Sequence, residues 1–288
     1  MRWVGQQSFS RSHQMKTLVT LLTAALVVFF YLHITYQHKT NDDLELYEVE
    51  APDKARLEQM GNLKLPFVFP CENAELAACS PDAHPAFELN VVDPSFVAVP
   101  LAAGEAKKLF DKAPYFTEGN EDFLAETLMA DVYARNDALL RPPMTMLKKY
   151  DLILGGADAA TRLKHSDHCR NYFYAAEGSV TVKLTPPRYT KFLPALGQFE
   201  TEVDPWGGNV NPKIKFIDLI LKKGSVLYVP AYWWYSFKME KEGRVLGFHY
   251  KTFMNAVATL PATAWRVLQN QNIKHVLAKS KMGLGPHP

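Results

Sequence analysis

The sequence predicts a mainly β domain with flanking helices, carried behind one N-terminal transmembrane helix. Three observations support this reading. Residues 17–34, TLVTLLTAALVVFFYLHI, form an apolar run with His33 as its one strongly polar member. After Tyr150 the chain breaks into short runs rich in β-branched and aromatic residues, separated by Gly, Pro and Asn, the texture of an antiparallel barrel or sandwich. Around these runs lie segments whose apolar residues recur at helical spacing.

The apolar run comes first. At about 1.5 Å of rise per residue, its length approaches the roughly 30 Å hydrocarbon core of a bilayer. A cleaved signal peptide is the alternative, but its apolar region spans about 7–15 residues and ends in small residues. This run is longer and ends in FFYLHITYQ. Arg2, Arg11 and Lys16 precede it, while Lys39, Asp42 and Asp43 follow. The positive-inside rule therefore keeps residues 1–16 in the cytoplasm and sends the remainder across, a single-pass type II arrangement. Before Asp42 the chain has several serines and no acid, a bias shared with mitochondrial presequences, so the inner mitochondrial membrane is a second location.

Residues 35–63 contain the charged, helix-prone DDLELYEVEAPDKARLEQM and read as a stalk. Residues 64–288 read as the domain, its barrel core at 150–255. From Leu65 to Pro100, prolines interrupt short apolar runs (LPFVFP, FVAVP), which suits extended segments. AGEAKKLFDK and EDFLAETLMADVYARNDALLR predict helices, the second with Phe123, Leu124, Leu128, Val132 and Leu139 on one side. The strand runs are YDLILGG, NYFYAAEGSVTVKLTPP, IKFIDLILKKGSVLYVPAYWWYSF and RVLGFHYKTF; ATAWRVLQNQNIKHVLAK predicts a closing helix. A hydrophobic content of 48% suits a packed core, and a formal net charge of +2 gives no electrostatic footprint for nucleic acid. Three cysteines are too few for a disulfide framework. Cys71 and Cys79 either close a small loop in an oxidising compartment or remain thiols.

Two stretches carry the chemistry. In KHSDHCRNYFYAAEG, His165 and Asp167 stand two residues apart at the head of a strand run, and in a strand such residues share a face. A His-x-Asp pair with one distant histidine makes the facial triad of non-haem iron oxygenases; a polar loop pair is the ordinary alternative. In PAYWWYSF, Trp233, Trp234 and Tyr235 read as a pocket wall, yet no His, Asp or Glu lies within it.

Asn171, Tyr172, Phe173 and Gly178 follow the His-x-Asp pair, then LTPP at 184–187, then GSVLYVPAYWW. This order resembles the Jumonji C/cupin-like family of iron- and 2-oxoglutarate-dependent hydroxylases, its asparaginyl-hydroxylase branch in particular, over residues 150–255. The resemblance implies a double-stranded β-helix (a cupin or jelly-roll barrel) with Fe(II) and 2-oxoglutarate as cofactors. His165 and Asp167 match the first two iron ligands, and Asn171 joins the pocket wall. Three departures fall on the catalytic side. Tyr235 stands where the third ligand, a histidine, is expected, and a neutral phenol is a poor ligand for ferrous iron. Val180 stands in place of the lysine for the 2-oxoglutarate carboxylate, with Lys183 at the wrong strand parity to replace it. Gly247 stands in place of an asparagine. A pseudoenzyme that has kept the fold and needs no cofactor is the implied outcome.

His249, two residues after Gly247, shares its inward face and offers a replacement ligand beside the remnant pair His165 and Asp167; a pocket-filling histidine is the alternative. His168 reads as a solvated loop residue. The membrane segment, the stalk and the ending YVPAYWWYSFKM…FHYKTFMNAVATLP…LQNQNIKH also resemble cupin-like proteins of large DNA viruses. That resemblance implies a virion or membrane component, a minor capsid protein with the bilayer and other proteins as partners. An active hydroxylase and an accessory subunit of an organellar membrane complex are the rival readings.

Overall fold

The computed structural model describes residues 4–196, 199–208, 210–240 and 243–281. Its strands are β1 (Tyr47–Glu48), β2 (Phe67–Pro70), β3 (Glu88–Val92), β4 (Ala98–Ala102), β5 (Phe116–Thr117), β6 (Thr145–Gly155), β7 (Arg170–Glu177), β8 (Ser179–Thr185), β9 (Ala195–Leu196), β10 (Glu200–Thr201), β11 (Ile217–Lys222), β12 (Ser225–Val229), β13 (Trp234–Met239) and β14 (Arg244–Thr252). The helices are α1 (Val4–His38), α2 (Lys54–Asn62), α3 (Ala74–Ala78), α4 (Ala103–Phe110), α5 (Glu121–Glu126), α6 (Met129–Asn136) and α7 (Phe253–Lys281).

Among the described residues, nine strands form one mixed sheet in the order β1-β2-β12-β7-β14-β6-β5-β3-β4, and β11-β8-β13 form a second. From β11 to β14, successive strands alternate between the two sheets. The sheets face one another, with no ladder between them that closes a barrel among the described residues.

Strand alternation explains the layers, because successive side chains point to opposite faces. Phe173 and Ala175 of β7, Leu227 and Val229 of β12, and Val245 of β14 meet Val180, Val182 and Leu184 of β8, and Phe237 and Met239 of β13, between the sheets. Tyr172, Tyr174 and Ala176 of β7, with Leu246, Phe248 and Tyr250 of β14, point the other way, under the helices. Leu57 and Met60 of α2, Leu76 of α3, Phe123 and Leu124 of α5, and Tyr133 of α6 cover that outer face. A third cluster forms where Trp234 meets Leu163, Tyr189, Leu193 and Ile214.

Two expectations change on folding. EDFLAETLMADVYARNDALLR is not one helix: Leu128 takes a left-handed conformation (φ 60°) between α5 and α6 and is exposed rather than on the packed side. The segment read as a stalk is built into the body. In it, β1 pairs with β2, and α2 is capped by Asp53, whose side chain accepts from Arg56 N. Helix α1 is docked at its C-terminal end: Tyr36 Oη donates to Asn62 Oδ1 at 3.2 Å, and Lys64 Nζ donates to the carbonyls of Tyr36 and Lys39. The Trp233 indole reaches Asn41 O at 3.1 Å, so the first residues after α1 lie against the aromatic wall.

Leu57, 1% exposed, and Leu63, 49% exposed, test whether this segment belongs to the core. Leu57→Ala is expected to lower the unfolding free energy of the full chain in detergent by about 2–5 kcal/mol, whereas Leu63→Ala stays within about 0.5 kcal/mol. Equal, small effects in denaturant unfolding would return residues 35–63 to an independent stalk.

Candidate functional site

At one end of the space between the sheets, apolar packing gives way to a chain of buried polar groups. Residues 159–164 run along the free edge of β13: Lys164 N donates to Tyr235 O at 3.0 Å, and Tyr235 N donates to Lys164 O at 2.7 Å. Alternation then sends Lys164 inward, its ammonium 5.9 Å from the Tyr235 ring centre and paired with Glu118. His165 goes the other way. Its ring packs edge-on against Trp234, centroids 4.4 Å apart, and against Phe199 at 5.2 Å.

Two residues later the strand rule no longer applies, because residues 165–168 lie outside any strand and Ser166 makes a side-chain-to-backbone turn. Ser166 Oγ accepts from His168 N at 3.1 Å and lies 2.9 Å from His168 Nδ1. The turn brings Asp167 beneath the end of β14, where Lys251 Nζ donates to Asp167 Oδ2 at 2.8 Å and to Thr259 Oγ1 of α7 at 3.1 Å. Both partners are nearly buried, at 6% and 7% exposure of the side chains. His165 thus lies among the rings of Trp234, Phe199 and Tyr232, and Asp167 beside Lys251, with His168 Nδ1 3.5 Å from its Oδ1.

His249 does face inward with Gly247, as strand parity requires. Asn171 donates through Nδ2 to His168 O and Val229 O, both at 3.1 Å, which leaves its Oδ1 as an acceptor. His249 Nδ1 lies 2.8 Å from that Oδ1 and so carries the proton, leaving the lone pair on Nε2. Burial, reinforced by His168, Lys149 and Lys164, holds His249 well below the usual histidine range, so the ring is neutral. Gly247 makes room for it: a Cβ there would stand 3.1 Å from His249 Nε2 and 3.3 Å from Asp151 Cβ. A side chain larger than glycine would displace the imidazole.

Asp151, Tyr235 and Lys164 complete the chain of groups. Asp151 accepts from the backbone of Gly119, Asn120 and Leu152 at 2.8–3.0 Å, and burial raises its carboxyl above the usual range. Burial pushes the Tyr235 phenol up to about 12 despite nearby Lys164, so it remains protonated. Burial opposes charge on Lys164, but Glu118, Tyr235 and Asp151 outweigh it and keep the ammonium charged.

The aromatic wall has two sides. Tyr235 faces the interior, 5.0 Å from the Phe173 ring, whereas Trp234 points outward and donates to Thr190 Oγ1 at 2.8 Å. Trp233 is fully buried between the sheets. Val180 is buried in the same layer, and Lys183 points outward to Asp218 at 2.8 Å, as its parity predicts. His168, read from sequence as solvated, is half-buried, its ring 5.7 Å from that of His249. Among the described residues, no three His, Cys, Asp or Glu side chains converge as a metal-ligand group, and the three cysteines are free thiols.

Sequence reasoning missed Lys251, Lys164 and Asp151. Lys251 was within reach, since it follows His249 by two on the same strand. Lys164 and Asp151 owe their roles to cross-chain packing and carry no local signal. No family model matches the chain, and no curated protein matches it.

Removing one member of a buried ion pair strands the other. Asp167→Ala is expected to destabilise the protein by about 3–5 kcal/mol. The double change Asp167→Asn with Lys251→Met should cost clearly less than the sum of its two single changes, by denaturant unfolding. Additive costs would mean that the pair is not coupled.

Proposed function

We propose that the chain is a membrane-anchored protein of the Jumonji C/cupin type that has given up oxygenase chemistry and serves binding or assembly. On this reading the two facing sheets are a double-stranded β-helix, its strands alternating between sheets from β11 to β14. The observation that carries the reading is the Lys251–Asp167 pair, which places an ammonium on the carboxylate that would otherwise grip a metal. Ferrous iron does not fit this donor set as it stands. Asp167 is paired with Lys251, His165 packs against Trp234, and a protonated Tyr235 stands at the third position. A 2-oxoglutarate carboxylate would meet Val180 rather than a cation, and burying that charge unpaired costs several kcal/mol.

The membrane reading rests on α1. Its segment Gln14–His38 is long and apolar enough to span a bilayer and is not covered by the body. A signal sequence passes the same test; the docking of the C-terminal end of α1 onto Asn62 and Lys64 favours retention. A type II topology and a place among the membrane components of a large DNA virus follow from the basic flank and from the second sequence resemblance, with other proteins of that assembly as partners.

The purified full chain, supplied with iron, ascorbate and 2-oxoglutarate, is expected to release no succinate above the rate without protein. Tyr235→His alone should not restore turnover, since Lys251 still holds Asp167. Succinate release by the unmodified protein, abolished in Asp167→Ala, would establish the hydroxylase reading instead.

A further inference from the structure

Helix α7 leaves the body soon after it begins. Asn255, Ala258 and Thr259 are buried, and Thr259 holds Lys251. Beyond them the apolar side chains are bare: Leu260, Trp265, Val267 and Leu268 are exposed, as is Phe253 at the start of the helix. Met144, Met146 and Leu147 are exposed on the adjoining strand, where Phe253 N donates to Met144 O at 3.1 Å. A stretch of this kind on a water-soluble surface is an aggregation liability, so its neighbours decide what covers it.

Those neighbours point to lipid. The element against which α7 packs outside the body is α1, the apolar helix. Of the residues of α1 from Gln14 onward, His33, Ile34 and Gln37 are the ones partly covered. They lie at the body-proximal end of the apolar run, where a spanning helix crosses the membrane surface. Charge agrees with position. Helix α7 contains no Asp or Glu, but Arg266, Lys274, Lys279 and Lys281. A basic helix with exposed Leu, Val and Trp has the composition of a segment lying in the headgroup region of an anionic bilayer, with its tryptophan at the interface.

We propose that residues 260–268 of α7 form a second membrane contact, laying the domain against an anionic lipid surface beside its anchor. This rests on the reading of α1 as a spanning helix. The same helix carries Thr259, so the contact begins one residue beyond the hydroxyl that holds Lys251.

The test uses the full chain carrying Trp3→Phe, reconstituted into phosphatidylcholine vesicles with and without phosphatidylglycerol. Brominated lipids quench tryptophan that reaches the bilayer. Trp233 and Trp234 are buried in the body, and the Trp206 indole is bound to Ser236. The brominated lipids are expected to quench part of the emission, more in the anionic vesicles, and Trp265→Phe should abolish that part. Leu260→Asp with Leu268→Asp should reduce it while the chain stays resistant to carbonate extraction. Trp265 unquenched in a carbonate-resistant chain, whether the helix is bare or paired with a second copy, would overturn the proposal and leave the anchor intact. Extraction of the unmodified chain by carbonate would overturn both.

Discussion

Strands β7 and β14 are buried on both faces, with one face toward the second sheet and the other under the helices. Most of the polar architecture follows from that constraint. A polar side chain on such a strand cannot reach water, and an unpaired one costs on the order of 1–3 kcal/mol, more when charged. Asn171 and His249 therefore bond one another, and Lys251 takes Asp167. Where the apolar layer ends, each cation is matched by a carboxylate, Lys164 by Glu118 and Lys251 by Asp167. These imidazole, amide and ammonium groups are paired internally.

Internal pairing bears directly on chemistry. A metal site of the facial-triad kind needs three donors held open toward one point, with carboxylate charge left for the ion. Here the carboxylate charge is spent on an ammonium, and the neutral imidazole of His249 has one nitrogen committed to Asn171. Gly247 adjoins that imidazole, and a Cβ there would stand 3.1 Å from His249 Nε2. Tyr235 and His249 both pack on Phe173, whereas Val180 sits opposite Met239, four residues further along the β8–β13 ladder.

Much of the fold was legible because period-2 patterning survives in YDLILGG, NYFYAAEGSVTVKL and RVLGFHYKTF, each of which became a strand or strand pair. Parity alone correctly aimed His249 inward and Lys183 outward. At His165 and Asp167 the rule does not apply, because residues 165–168 lie outside any strand. The helix break at Leu128 was invisible because a left-handed leucine has no propensity signature. The packed character of residues 47–62 was hidden by their charge: α2 buries only Leu57, Met60 and Gly61 and leaves its other side polar. Lys251 and Lys164 were passed over because lysine reads as surface, and only tertiary contact shows that each has a buried partner.

On the proposed reading, the Lys251 ammonium occupies the carboxylate that a metal would need. Anaerobic equilibrium dialysis of the full chain against ferrous iron decides whether it does. No saturable site should be found, with iron no higher in the unmodified protein than in Asp167→Asn. One tightly held ion per chain, lost in Asp167→Asn, would contradict it.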